Sequence, residues 1–534
     1  MSKHPLPEKF VEIRPHQQQA LDEINELFDA GKDVVVVDAP TGSGKSLLGE
    51  LVRRDDFVRN GEIGMHRTAY LCGTKGLQDQ FAADFPYGNV IKGRANYPTQ
   101  HGDEVFVTCD DCLGAECHYC DSTAECPYVR AKSRAVTGEL IIANYSYLLR
   151  EANSKGDMSG NQLAIADECD LLEGEMLRFS EFYVSARRLE RLGLDAPKKG
   201  VHKPTLARWL EEELAEAARV YAKKLDPYDV RGRREIKQLN ALVADCKRVA
   251  AELDKDVAAK DIDEESGKWV RDYPGRDDVL SLKPVVVKRY GLRQLFRHAE
   301  RWLMMSATVI SADEMMDSLG AAGLDYDVVS VPMMFDVDRR KVFVTPLGSM
   351  SRKMYNDTLP KIVRAVERIC ERHPGERVLV HTHTYKLARE LSSMCRLAGR
   401  PVFTYSSGGE RDDAFKRYAR AEGSVMFAPS MDRGYDFHGD LARVIVIAKV
   451  PYPYLGDRQI NARMRLPGGQ NWYTVQTVRA IVQMTGRGVR SAEDHAVSYV
   501  LDQDFLKTFR EGRSLFPRWW SDAVDMTFPV RELL

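Results

Sequence analysis

The stretch that most narrows the fold is VVVVDAPTGSGKSLL, residues 34–48. A β-branched run, a small glycine-rich turn and a helix-forming start predict strand, loop and helix in direct succession. Backbone N–H groups at such a helix N-terminus, with the helix dipole behind them, cradle phosphate. Thr41, Gly42, Ser43 and Gly44 are expected to form the cradle, Lys45 to reach the β/γ-phosphates, and the Ser46 hydroxyl to ligate Mg²⁺. The expected cofactors are therefore ATP and Mg²⁺.

Phosphoryl transfer also needs a carboxylate for the metal and a group that orients water. LAIADECDLLE (163–173) supplies an apolar strand ending in adjacent acids. Asp167 is expected to hold Mg²⁺ through water, and Glu168 to polarise the attacking water as general base. Three further stretches fit one type of motor: TKGLQDQF (74–81) after the strand AYLC, Ser306-Ala307-Thr308 within WLMMSATVIS, and VQMTGRGVRS (482–491). The last places Gln483, Arg487 and Arg490 on one helix face; the two arginines lie three apart and can stabilise charge developing on the γ-phosphate.

APTGSGKS, TKGLQDQ, the acidic box, SAT and QMTGRGVR stand here in the order seen in superfamily 2 helicases. The DECD box, Asp167–Asp170, resembles a DEAH box with cysteine at its third position. KGRANY (92–97), CPYVRAK (126–132), IIANYSYLL (141–149) and QMTGRGVRS resemble the XPD/DinG family of iron–sulfur helicases, and the resemblance covers most of the chain, with 185–265 the least informative part. It implies an ATP-dependent DNA helicase that moves 5′-to-3′ on single-stranded DNA and opens forked or tailed duplex, with Gln483 sensing the γ-phosphate. RPHQQQALDEI is similar to the group's adenine-reading segment and points to Arg14 and to Gln17 or Gln18. In SMDRGYDFHG (430–439), Gly434, Asp436 and Gly439 match, which adds Asp436 to the nucleotide-binding set; Arg433 stands where the family tends to have an acid.

TCDDCLGAECHYCDSTAECPY (108–128) holds half of the ten cysteines. In a reducing cytosol clustered cysteines are metal ligands more often than disulfides. The family carries a four-cysteine 4Fe-4S domain between its TKxLQxQ and DExx segments, and residues 93–139 occupy that position. Cys126 precedes Pro-Tyr and carries over directly; the usual place of the first ligand is Pro98-Thr99-Gln100 here, so Cys109 takes its role. Cys109, Cys112, Cys117, Cys120 and Cys126 are thus five candidates for four places. Thiolates suit an iron–sulfur cluster or zinc, and the CxxC-x4-CxxC pairing has the spacing of a zinc site.

The expected fold class is α/β: two RecA-like parallel-sheet motor domains carrying an inserted cysteine-rich metal domain and an inserted helical, Arch-like domain. The first motor half is expected from 1–92, 140–184 and 266–333, the metal domain at 93–139, the helical insertion at 185–265 and the second motor half at 334–534. Leu206, Leu210, Leu214 and Tyr221, then Ile236, Leu239, Val243, Cys246, Val249 and Leu253, recur at helical spacing and predict an antiparallel pair turning at DPYDVRGR (226–233).

Net charge is −2, so a polyanion must be held by local basic patches. Lys92, Arg94, Asn96 and Tyr97 precede the cysteines, and Arg130, Lys132 and Arg134 follow them; both groups are expected to grip single-stranded DNA. An RNA substrate, or a zinc-containing ATPase clamp that does not unwind, stays open on this grammar alone. MSKHPLPEKF has no apolar h-region and the longest apolar runs are too short to span a bilayer, so a cytoplasmic protein without membrane contact is expected.

Overall fold

The computed structural model describes residues 6–7, 10, 12–60, 66–99, 107–112, 123–154, 156–198, 200–258, 268–272, 280–431, 437, 439–486, 488–489 and 493–534. In chain order its strands begin with β1 (Val34–Asp38), β2 (Thr68–Cys72), β3 (Asn89–Val90), β4 (Leu140–Asn144) and β5 (Asn161–Asp167). There follow β6 (Phe182–Val184), β7 (Trp269–Asp272), β8 (Leu280–Pro284), β9 (Ala299–Ser306) and β10 (Tyr326–Ser330). The second half contributes β11 (Val342–Gly348), β12 (Val378–His381), β13 (Val402–Thr404), β14 (Val425–Ala428), β15 (Val444–Ile447), β16 (Val497–Asp502) and β17 (Val524–Asp525).

Two parallel sheets result, ordered β10-β1-β9-β5-β2-β4-β3 and β13-β14-β12-β15-β16-β11-β17. Both faces of each sheet are covered, so the strands read as unbroken apolar runs. Val34 and Val36 face one core with Leu71, Ile141 and Met304, whereas Val35 and Val37 face the other with Tyr70, Ile142 and Met305. Each of these four valines is fully buried, worth about 1.5–3 kcal/mol apiece on transfer grounds. The second sheet alternates likewise, with Val378 and Val444 on one side and Leu379 and Ile445 on the other. The expected pair of RecA-like α/β domains is the observed architecture.

The insertion is helical, as its periodicity predicts. Lys203–Arg208, Trp209–Leu214 and Ala215–Ala222 run end to end, the chain turns, and Val230–Ala258 returns. Leu206, Leu210 and Leu214 share a core with Leu239, Cys246, Val249 and Leu253. That core also takes in Phe182 and Val184 from β6, Trp269 from β7, and Leu280 and Leu282 from β8, which form a separate antiparallel sheet β6-β8-β7. The insertion therefore rests on a base reaching from 182 to 284, wider than the 185–265 expected, because these short strands bury their apolar faces against the helices and not against the first parallel sheet.

The described part of the cysteine segment is anchored at both ends. Thr108 bridges Pro98, Cys109 N donates to Tyr97 O at 2.9 Å, and Cys109 and Cys126 lie in the core of the first sheet with Tyr128 and Ile91. Asp111 pairs with Arg234, and Asp110 with Lys237, so the segment is also docked on the helix Val230–Ala258.

Candidate functional site

The phosphate loop lies between β1 and the helix Lys45–Asn60. Gly42 and Gly44 have φ of 83° and 85°, the left-handed region that glycine enters without a Cβ penalty. The loop is braced from behind by the start of the first helix. Gln17 Nε2 donates to Ser43 O at 3.0 Å, His16 Nε2 to Ser43 O at 3.3 Å, and Arg14 Nη1 to Gly42 O at 3.3 Å. Gln17 also caps its own helix, accepting from Arg14 N at 3.0 Å. Arg14 and Gln17, expected to read the adenine, thus hold the loop backbone, while Gln18 bonds Asp22 at 2.8 Å.

Lys45 Nζ stands 3.8 Å from Glu168 Oε1. Glu168 directly follows β5 with φ 58° and ψ 49°, a left-handed conformation costing roughly 1–2 kcal/mol for a residue with a Cβ. The turn carries the carboxylate off the strand line and towards the phosphate loop. Asp167 is buried: Tyr70 OH donates to its Oδ2 at 3.0 Å and Tyr145 OH to its backbone carbonyl at 2.7 Å. Its Oδ1 is buried with no hydrogen-bond partner among the described residues, and so is Asp38 Oδ1 at the end of β1. Burial raises the Asp167 carboxyl above its ordinary value, with Lys45 and the Tyr70 hydrogen bond opposing. Burial pushes Asp38 up to about 6, again against Lys45. Two under-satisfied carboxylate oxygens beside a lysine fit a divalent cation carried in with a triphosphate.

Across the cleft, the helix Gly469–Thr485 lays one face on the first lobe. Gln483 Nε2 reaches Asp170 Oδ2 at 2.9 Å and Thr308 Oγ1 at 2.7 Å, and Ser306 Oγ donates to Asp170 Oδ1 at 2.6 Å. The last acid of the DECD box, the SAT motif and Gln483 thus form one junction between the lobes. Along the same face Arg479 Nε donates to Thr308 O at 3.2 Å, and Trp472 Nε1 to Glu173 Oε2 at 3.1 Å. Arg463, 3% exposed, pairs with Glu173, donates to Ser318 Oγ at 2.7 Å and stacks 4.1 Å from the Trp472 ring. Sequence reasoning missed Asp38, Glu173, Arg463, Trp472 and Arg479. Only Asp38 carried a signal, as the acid closing an otherwise apolar strand. Arg487, Arg490 and Asp436, with Arg433 and Gly434, lie outside the described residues.

Cys109 Sγ and Cys126 Sγ are 3.5 Å apart, both thiols buried and not in disulfides, and Cys112 is buried nearby in sequence. A pair of close, shielded thiols fits a thiolate-bound metal group by donor chemistry. Among the described residues no cluster of three or more potential ligands is assembled, and Cys117 and Cys120 lie outside them.

The expected nucleic-acid residues divide. Lys92 pairs with Asp79, and Lys132 with Glu151 and, at 2.7 Å, Asp157, so both cations are engaged within the first lobe. Arg94 stacks 4.6 Å from the Tyr128 ring, and Tyr97 meets Tyr128 edge-on at 5.7 Å while its OH accepts from Lys92 N. Asn96 is exposed and accepts from Lys75 Nζ at 2.8 Å; Arg130 and Arg134 are exposed on the helix Pro127–Thr137. Among the described residues no helix is long and apolar enough to cross a membrane.

Comparison with known proteins agrees with this geometry. Residues 366–523 match the helicase C-terminal domain, and residues 10–170 match the res subunit of type III restriction enzymes. The ATP-dependent DNA helicase YoaA of Escherichia coli (strain K12) is 21% identical over 592 aligned positions, covering 92% of this chain and 91% of that protein. The ATP-dependent DNA helicase chl-1 of Caenorhabditis elegans is 24% identical over a match covering 28% of this chain and 19% of that protein. Among solved structures, an XPD helicase shares the fold with a TM-score of 0.67 at 15% identity, covering 95% of this chain and 99% of that one. Xpd4 of S. tokodaii gives 0.56 at 14% identity, covering 96% and 100%.

Proposed function

We propose that this chain, an XPD/DinG-like superfamily 2 helicase, is an ATP-dependent DNA helicase. The observation that carries this is the junction of Gln483, Asp170, Ser306 and Thr308, which ties the second lobe to the residues just behind the phosphate loop. ATP binding and hydrolysis at the loop can then open and close the cleft between two sheets, the motion a strand-tracking motor needs.

In this reading the loop amides from Thr41 to Gly44 cradle the phosphates, Lys45 offsets their charge, and Ser46 with Asp167 holds Mg²⁺. Glu168, displaced from the strand by its left-handed turn, accepts a proton from the attacking water. Gln483 responds to the γ-phosphate by exchanging its bond to Asp170 or Thr308. Arg487 and Arg490 would offset the charge of the transition state, and Asp436 would contact the nucleotide. Exposed Arg130, Arg134 and Asn96 contribute cations and an amide to the strand path beside the cysteine segment. Movement 5′-to-3′ on single-stranded DNA, action on forked or tailed duplex, and a cytoplasmic site complete the reading.

Four of the five clustered cysteines would hold a 4Fe-4S cluster, whose contribution is to crosslink the segment into a fold. Zinc is the second reading, favoured by one distance. Two thiolates on a single tetrahedral zinc, with bonds near 2.3 Å, stand about 3.8 Å apart, close to the 3.5 Å between Cys109 and Cys126.

The test of the motor is ATP turnover with and without single-stranded DNA. Lys45→Ala or Glu168→Gln is expected to lower stimulated turnover by at least about a hundredfold. Near-normal turnover in either variant would overturn the assignment.

A further inference from the structure

The tip of the helical insertion holds one aromatic ring in solvent on a fixed backbone. Tyr228 is 86% exposed, yet the loop that carries it is tied at every step. Tyr228 N donates to Asp226 Oδ1 at 2.8 Å, and Gly232 N donates to Asp229 Oδ2 at 2.8 Å. A Cβ on Gly232 would overlap the carbonyl of Asp226, so the first turn of the returning helix closes tightly on the loop. Arg233, 3% exposed, donates from Nη1 to Pro227 O at 3.2 Å and Tyr228 O at 2.7 Å, and from Nε to Asp111 O at 2.9 Å. A buried guanidinium therefore pins the tip to the cysteine segment. The cost of burying that charge is offset by its hydrogen bonds to three backbone carbonyls, and two of those carbonyls belong to the loop whose ring packs on little of the protein.

Cations flank the ring in the chain. Lys223 and Lys224 before it and Arg231 after it are exposed, whereas Arg234 and Lys237 pair with Asp111 and Asp110. An exposed aromatic on a rigid backbone with cations on either side is the composition of a single-strand contact: a base stacks on the ring while the cations meet its phosphates. Duplex offers no open base face and would not need the ring.

We propose that Tyr228 is a stacking platform for one base of the single strand, with Lys223, Lys224 and Arg231 meeting the flanking phosphates, where the insertion meets the cysteine segment. The proposal rests on the DNA-motor reading above and adds a contact to it. Its test is fluorescence anisotropy of labelled oligothymidylate with the full chain. Tyr228→Ala is expected to weaken binding by about five- to 150-fold, the range of one base–aromatic stack, and Tyr228→Phe to bind like the unaltered chain. ATP hydrolysis without nucleic acid should be unchanged in both variants.

Two control strands decide between causes. An abasic strand of equal length should bind the unaltered chain and Tyr228→Ala alike, and so should a blunt duplex. Equal affinity of Tyr228→Ala and the unaltered chain for oligothymidylate overturns the proposal. A loss on the abasic strand overturns it too, because that loss would come from charge or folding; an equal loss on blunt duplex would assign the tip to duplex instead. If the unaltered chain does not bind oligothymidylate at all, the motor reading fails together with this one.

Discussion

At the scale of single residues, the site depends on backbone that only certain side chains permit. Gly44 has φ 85°, and a Cβ there would overlap Gln17 Nε2, the group that holds Ser43 O. Gly44→Ala is thus strained twice, by its dihedral and by displacing a buried amide. We expect it to cost about 1–3 kcal/mol and to weaken ATP affinity, read as a lower thermal midpoint and a smaller midpoint rise on adding nucleotide. The glycine pattern made this loop legible in the sequence, because phosphate cradles need N–H groups aimed outward. The brace was not legible, since nothing in PHQQQ says that Gln17 will meet a loop 26 residues on. Local patterns report backbone conformation; contacts between separate elements depend on packing that no short window contains.

Among elements, the helix Gly469–Thr485 does most to join the lobes. The motif VQMTGRGVRS identified a helix face at its end and Gln483 on it, but the partners of Trp472 and Arg479 emerged only with the fold. Glu173 is the receiving group, accepting from Trp472 and paired with the buried Arg463. Removing it by Glu173→Ala leaves that guanidinium buried without its main counter-charge, a change worth about 3–5 kcal/mol. The expected outcome is a clearly lower thermal midpoint, with Glu173→Gln intermediate because its amide oxygen still accepts one hydrogen bond; equal midpoints for all three would refute the role. The insertion shows the opposite case. Its helices were legible from leucine spacing, whereas β6, β7 and β8 were not, being short and brought together only when the helices between them fold.

For the whole molecule, the order of motifs along the chain carried the two-lobed architecture, and the cysteine spacing carried the metal question without settling which metal. Protein purified without oxygen is expected to show visible absorption and close to four irons per chain. Stoichiometric zinc in a colourless protein would select the alternative, and chelation should lower the thermal midpoint in either case. The strand order has its own consequence. The strand leading into the phosphate loop, β1, sits between β9 and β10, and neither exists until residues 299–330 have been made. On a ribosome adding about 5–20 residues per second, four fully buried valines wait on the order of tens of seconds for both neighbours. During synthesis the phosphate loop is thus made early, yet its strand lacks both neighbours until the first lobe is nearly complete, and the growing chain has an interval in which an almost wholly apolar strand needs shelter.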